Sequence, residues 1–137
     1  MNLAPAVPRP MRLLPGDDLR TRIEAIAREQ HIAAAFVVCG IGSLSRAAIR
    51  LAGAPRPEIH DGDIEIVSLS GTISQDGAHL HAAVADASGR VFGGHVARGC
   101  CVRTTAEILI AELPGWIFSR ERDDTTGYPE LVMERRP

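Results

Sequence analysis

The spacing of apolar positions predicts one amphipathic helix near the start of the chain. Leu19, Ile23 and Ile26 recur at helical spacing, and arginines occupy the opposite side. The preceding segment, residues 16–18 (Gly-Asp-Asp), is a helix start, because an aspartate caps exposed N–H groups and its charge suits the positive end of the helix dipole. We therefore predict a helix from this start to about His31.

Short apolar and β-branched runs predict the strands. They lie at residues 9–14, 33–39, 45–51, 64–74, 78–85, 91–96 and 116–119. Glycines at 40 and 42 predict a turn after the second run, residues 53–63 predict a loop, and residues 104–113 fit either a helix or a strand. Together, the predicted helix and strands indicate a single α+β domain with one main helix and a mostly antiparallel sheet. We place it at residues 9–131, between a flexible N-terminal tail (1–8) and a C-terminal tail (132–137).

The most informative segment is a predicted hairpin between residues 77 and 96. Its turn, residues 86–89 (Asp-Ala-Ser-Gly), has the composition of a type I turn followed by a left-handed glycine bulge. Counting outward from this turn places His81 opposite His95, with His79 two residues along on the same face. The other face then carries the pairs Val84–Phe92, Ala82–Gly94 and Leu80–Val96, which are apolar or small. A slip of one residue would send His95 to the opposite face.

Three imidazoles on one face point to a metal site. Directly opposed residues have Cβ atoms about 4.5–5.5 Å apart, and imidazoles at such positions can reach one metal at about 2.0–2.1 Å per nitrogen. Without a fourth protein ligand, an open coordination position remains, as in zinc sites that bind water or substrate. The alternative is a metal-free hydrogen-bond network at a subunit interface, and the pattern leaves both open. Gly93 and Gly94 beside the histidines leave room for a ligand or for another backbone.

Other polar candidates are weaker. Glu107 lies in an apolar segment, where it could accept a hydrogen bond from an imidazole N–H, act as a general base or sit exposed at an edge. His31 and His60 have no such neighbours, so we predict ordinary surface histidines. The cysteines at 39, 100 and 101 are odd in number and lack C-x-x-C spacing, which predicts buried fillers rather than a disulfide framework or a cysteine zinc site.

Composition narrows the class of protein. A chain of 137 residues with 45% apolar and 23% charged residues suits one globular domain. The net charge of −2 gives no overall attraction for DNA. All fifteen basic residues are arginine, which suits anion recognition but also fits codon bias in a GC-rich genome. No apolar run reaches the roughly 18 residues of a membrane span, and the proline-containing N-terminus does not read as a secretory signal, so we predict a cytoplasmic protein.

The hairpin motif His79-Leu80-His81 … Asp86 … Gly89 … Gly93-Gly94-His95 resembles the plants and prokaryotes conserved (PPC) domain family, whose plant members carry AT-hooks. The resemblance covers roughly residues 10–131. Supporting segments are residues 14–19, 40–44, 105–107 and the pattern Phe118 … Arg120 … Thr126-Gly127-Tyr128.

The resemblance implies a strongly curved antiparallel sheet packed on a helix and assembled as a homotrimer. It also implies a metal site at His79, His81 and His95 near a subunit boundary. Plant members bind DNA through an Arg-Gly-Arg-Pro core in the AT-hook. The segments Pro8-Arg9-Pro10 and Pro55-Arg56-Pro57 of this chain lack the glycine and the second arginine of that core.

Three hypotheses follow. In the first, the chain is a trimeric binding module that is DNA-associated or regulatory. In the second, it is a metal-dependent enzyme or small-ligand binder that uses zinc or another divalent metal, with Glu107 as the candidate catalytic group and arginines holding an anionic ligand. In the third, the histidines serve only a subunit interface.

Overall fold

A computed structural model describes residues 4–137. Their elements are β1 (Val7–Leu13), α1 (Leu19–Glu29), β2 (Ala34–Arg50), β3 (Glu58–Ser74), β4 (Gly77–Ala85), β5 (Val91–Val96), β6 (Cys101–Glu112), β7 (Trp116–Arg122) and β8 (Pro129–Arg135). The strand pairs are antiparallel, which confirms the prediction of a small single domain with one helix and a mostly antiparallel sheet. Within the described residues, no helix combines the length and the apolar character needed to cross a membrane.

Six strands form one sheet in the order β1-β6-β2-β3-β4-β5, and β7 and β8 form a separate ribbon. The 17-residue strand β2 pairs with β6 and β3, and its last residues also pair with β5. In that last pairing, Ile49 lies opposite Val96 and Arg50 lies opposite His95. The final strand of the sheet thus returns to a central one, which makes the sheet strongly curved.

The helix begins where the sequence predicts, at Asp18. The Asp18 side chain accepts a hydrogen bond of 2.8 Å from the backbone N–H of Thr21, which satisfies one of the free donors of the first turn. Leu19 and Ile23 of α1 lie in the same buried cluster as strand residues such as Leu80. One continuous core therefore includes both helix and sheet residues.

The predicted turn at Gly40 and Gly42 is wrong, because both glycines lie inside the continuous strand β2. A Cβ atom at Gly42 would lie 2.4 Å from the carbonyl oxygen of Thr105, so only glycine permits the close approach of β6. Register shifts in the β2–β6 pairing flank this position. The glycines bend and bulge a long strand instead of ending it.

The strands also extend beyond the predicted bounds. β1 begins at Val7, within the segment predicted as a tail, and its prolines are tolerated because β1 is an edge strand. β3 begins at Glu58, inside the predicted loop 53–63, and residues 104–113 fall largely in strand β6. β8 continues to Arg135, past the predicted boundary at 131. Residues 1–3 of the predicted N-terminal tail lie outside the described residues.

A buried carboxylate connects α1 to the sheet. Glu24 is 5% exposed and accepts hydrogen bonds from the backbone N–H of Ala78 (3.0 Å), from Arg20 Nε (3.1 Å) and from Arg98 Nη2 (2.7 Å). Burial raises the pKa of Glu24, but these three donors outweigh it and hold the pKa below its usual range. The charged form of Glu24 therefore stabilises the fold.

We expect Glu24→Gln to lower the free energy of unfolding by about 2 kcal/mol at pH 7, since charge-assisted hydrogen bonds are lost from a buried site. The pKa of Glu24 is lower in the folded than in the unfolded state. Its contribution to stability is therefore fully present above the unfolded-state pKa and is lost as the pH falls through the folded-state pKa. Urea unfolding from pH 7 to pH 3 measures the difference. The matched control is Glu29→Gln, whose exposed side chain pairs with Arg22 and should contribute less than about 0.5 kcal/mol. An equal loss in both variants, or one independent of pH, would contradict the assignment.

Candidate metal centre

The β4–β5 hairpin has the predicted register. His81 lies opposite His95, and the pairs Ala82–Gly94, Ala83–Gly93, Val84–Phe92 and Ala85–Val91 follow toward the turn. Asp86 Oδ1 accepts hydrogen bonds of 3.0 Å from the backbone N–H groups of Ser88 and Arg90. Gly89 has a φ of +81°, the left-handed conformation that the turn composition requires. The turn therefore fixes which side chains share a face.

The three predicted imidazoles converge. Their nearest potential ligand atoms all lie within 4.8 Å of one another, and the Nε2 atoms of His79 and His81 are 3.1 Å apart. Two zinc–nitrogen bonds of about 2.0–2.1 Å at a tetrahedral angle place their nitrogens roughly 3.3 Å apart. The donor set and the His79–His81 spacing fit a zinc ion, and the separations of up to 4.8 Å within the cluster require the rings to move closer when a metal binds.

Burial and the surrounding charges keep two of the imidazoles, those of His79 and His95, neutral. Burial, and next the nearby Arg50, lower the pKa of His95 to about 4. Burial, and next Arg120, also lower the pKa of His79. Neutral imidazole is the form that binds a metal, so neither of these two rings has to release a proton to solvent at pH 7. In addition, the Nδ1 atom of His95 is buried and has no hydrogen-bond partner among residues 4–137, a cost that a metal or a proton donor would remove.

The proton positions within the cluster follow from Arg120. Its Nη2 lies 3.2 Å from Nδ1 of His79 and 2.8 Å from Oγ1 of Thr72. Because a guanidinium only donates, Nδ1 of His79 accepts, and the single proton of the neutral ring is on Nε2. That proton faces Nε2 of His81. Arg120 therefore sets the tautomer of one candidate ligand.

The glycines beside the histidines allow backbones to approach. A Cβ atom at Gly93 would lie 2.4 Å from the carbonyl oxygen of Ala82, and one at Gly94 would lie 2.6 Å from that of Arg50. The sequence predicts that these glycines leave room either for a ligand or for another backbone, and these short distances support the second role.

Glu107 is not brought to the histidines. It is exposed on β6, opposite Arg12 and Ile41, and β2 and β3 separate β6 from β4 in the sheet order. It lines a mainly apolar open groove of about 630 Å³ instead. The general-base role therefore receives no support within one chain.

The remaining candidates are partly as predicted. His31 is exposed, but His60 is partly buried, with its ring 4.3 Å from that of Phe92. Cys100 is buried, which raises its pKa to about 11. Cys39 is exposed in the groove, so the prediction that all three cysteines are buried is wrong for this residue.

Sequence reasoning missed the arginines around the site. Arg50 comes beside His95 only through the β2–β5 pairing, and Arg120 reaches His79 from the β7–β8 ribbon. Neither contact is local in sequence. The chain's use of arginine without lysine was the available signal, but it did not indicate which arginines lie together.

Comparison with known proteins identifies the family. A profile of the Plants and Prokaryotes Conserved (PCC) domain matches residues 7–114, most of the chain. The chain therefore belongs to this family, which confirms the resemblance drawn from the hairpin motif.

The relatives differ in length. The chain is 48% identical over 126 residues to the bifunctional protein GlmU of Synechococcus sp., covering 92% of this chain but 20% of that protein. It thus spans about a fifth of the length of this curated relative. A hypothetical protein from Salmonella cholerae-suis is similar over its whole length, with 39% identity, a TM-score of 0.94 and 99% coverage of both chains.

Two archaeal structures are also similar. The metal-containing protein AF0104 from Archaeoglobus fulgidus has 26% identity and a TM-score of 0.77, with 96% of both chains covered. A plant- and prokaryote-conserved protein from Pyrococcus horikoshii has 26% identity and a TM-score of 0.75, with 93% of both chains covered.

Proposed function

We propose that this PCC-domain chain binds a divalent metal, preferably zinc, through His79, His81 and His95. The bound metal presents an open coordination position to a small ligand. The observation that carries the proposal is the convergence of three imidazoles on one face of a hairpin. When bound, zinc supplies a Lewis acid at that open position. The similarity over 96% of both chains to the metal-containing protein of Archaeoglobus supports the binding of a metal by this chain.

A metal-free network explains the site less well. The contact of 3.1 Å between His79 and His81 suits a hydrogen bond as well as a pair of metal ligands. The buried Nδ1 of His95, however, has no hydrogen-bond partner within the described part of the chain, whereas a closed network would satisfy each buried nitrogen. A metal ligand set accounts for the convergence of all three rings.

Binding is favoured over catalysis that uses Glu107. A metal-dependent enzyme, the alternative, needs a proton acceptor beside the open position. Glu107 lies on β6, away from the histidines, and the carboxylate whose charge acts on His79 is Glu130. We therefore propose a metal-dependent ligand binder, and an enzyme only where a second chain supplies the missing group.

We expect one zinc ion per chain, measured by mass spectrometry of the purified protein and by chelator competition. Because each imidazole provides one of three ligands, His81→Asn should weaken zinc binding by roughly 100-fold or more, a loss comparable to the largest effects of removing supporting contacts around a metal. The matched control is His31→Asn, which changes an exposed histidine with a φ of +56°, a conformation that asparagine tolerates. Equal zinc affinity in both variants, with unchanged folds by circular dichroism, would reject the site.

We also propose that the chain assembles as the homotrimer implied by its family resemblance, through the groove between β1, β6 and β2. Pro10, Met11, Ile108 and Leu109 line this groove, and Ile41 at its edge is 58% exposed. An apolar surface of this kind favours association with another protein surface. The cytoplasmic location stays a prediction.

Light scattering should give three times the chain mass of 14.7 kDa. Ile41→Arg should shift the protein to smaller species without a loss of secondary structure, because the side chain is exposed within one chain but would meet a partner in the trimer. Val67→Arg, at an exposed position on β3 outside the groove, is the control. A monomeric parent protein would contradict this assembly.

Duplex DNA is the alternative partner implied by the family resemblance. Several exposed arginines are already paired with carboxylates, which reduces their availability to phosphate. These pairs are Arg46–Asp61, Arg90–Asp86 and Arg103–Asp63. Together with a net charge of −2, they favour a small ligand over a DNA surface.

We therefore expect no change in the fluorescence anisotropy of a labelled duplex when this protein is added at physiological salt. A duplex affinity that falls steeply between low and moderate salt would instead support the DNA hypothesis, since each phosphate contact releases counterions.

A further inference from the structure

The candidate metal site lies in a positive field. Arg50 lies opposite His95 in the β2–β5 pairing, and Nη2 of Arg120 lies 3.2 Å from Nδ1 of His79. The charge of Arg20 also acts on both imidazoles. One acidic group, Glu130, acts on His79 in the opposite sense. This arrangement is unusual for a site that takes a divalent cation, because like charges repel most strongly where water is partly excluded.

Among the residues that the structure describes, the guanidinium groups of Arg50 and Arg120 have no ion pair with a carboxylate, whereas Arg20 shares the carboxylate of Glu24 with Arg98. The Arg50 guanidinium donates to the backbone carbonyl of Ala54, at 3.4 Å. The Arg120 guanidinium donates to Thr72 and His79, both neutral, while the backbone N–H of Arg120 donates to the carboxylate of Asp76 at 2.7 Å. Two guanidinium groups without an ion pair of their own thus belong to residues that adjoin His95 and His79.

We infer that the open position takes a small oxyanion, a carboxylate or a phosphate group, and that Arg50 and Arg120 hold it beside the metal. The inference rests on the proposed metal site and names the class of its ligand. Guanidinium groups match both oxyanions through parallel N–H donors. An oxyanion between the metal and the two arginines also offsets the repulsion that the metal alone would meet.

The contact between Arg120 and His79 couples the two binding events. In the described state, Nδ1 of His79 accepts from Arg120. A neutral His79 that binds a metal through Nε2 carries its proton on Nδ1, which then faces the guanidinium as a second donor. Arg120 consequently loses its acceptor when the metal binds. An oxyanion replaces that acceptor, so metal and anion should stabilise each other.

Binding linkage makes this mutual effect measurable, since an anion that raises metal affinity is itself bound more tightly by the metal-loaded protein. The experiment measures zinc affinity of the full chain by chelator competition in sodium perchlorate, sodium acetate and sodium phosphate at equal ionic strength. We expect zinc to bind about tenfold more tightly in acetate or phosphate, within the usual range of coupling between two sites. The acetate and phosphate arms distinguish a carboxylate from a phosphate ligand.

Variants assign the effect to the two arginines. Arg50→Gln and Arg120→Gln should each reduce the dependence on anion, while Arg120→Lys, which keeps the charge, should retain most of it. The matched control is Arg103→Gln, which removes an exposed arginine paired with Asp63 on another part of the sheet. Thermal melts test whether each variant is folded. If Arg120→Gln does not fold, the role of Arg120 is tested by Arg120→Lys alone.

The outcomes separate this inference from the proposed function. Tight zinc binding that is the same in perchlorate, acetate and phosphate would overturn the oxyanion site and leave the metal site standing. An anion effect that persists in both glutamine variants would overturn the roles of Arg50 and Arg120. Absence of zinc binding in each of the three salts would overturn the metal site and, with it, the coupled anion site.

Discussion

The candidate site depends on the register of one hairpin. The carboxylate of Asp86 accepts two backbone N–H groups within the turn, and Gly89 takes the left-handed conformation that closes it. Because side chains alternate along a strand, this turn decides that His81 and His95 share a face. The glycines of β5 then let neighbouring backbones approach, which holds that face in place. The chemistry of the site therefore follows from a local preference of four turn residues.

That local origin explains how much the sequence could predict. The helix start at Asp18, the hairpin register and the face shared by three histidines follow from contacts between residues close in the chain. The continuity of strand β2 could not be predicted in this way, because its glycines allow the close approach of β6, which lies some sixty residues further along the chain. Arg50 and Arg120 reach the site through similarly distant pairings. Sequence patterns thus located the three histidines but not the arginines that surround them.

The curvature of the sheet connects the fold to the electrostatics of the site. When β5 returns to the end of β2, Arg50 is placed opposite His95. Burial and this charge together hold the pKa of His95 near 4, so its ring stays neutral at physiological pH. A flat sheet with the same strands would leave β5 as a free edge and the histidines nearer to solvent. The neutral form needed for metal binding is therefore a consequence of topology as well as composition.

Neutral histidines and uncompensated arginines impose opposite requirements on a ligand. The imidazoles offer lone pairs, which a cation accepts, whereas the guanidinium groups of Arg50 and Arg120 offer only donors. A metal alone binds the imidazole lone pairs but is repelled by the guanidinium groups. An anion alone pairs with the guanidinium groups but leaves the imidazole lone pairs without a partner. Under the proposed function, a metal and an oxyanion together would meet both requirements. We therefore expect a jointly bound pair to be favoured over either ion by itself.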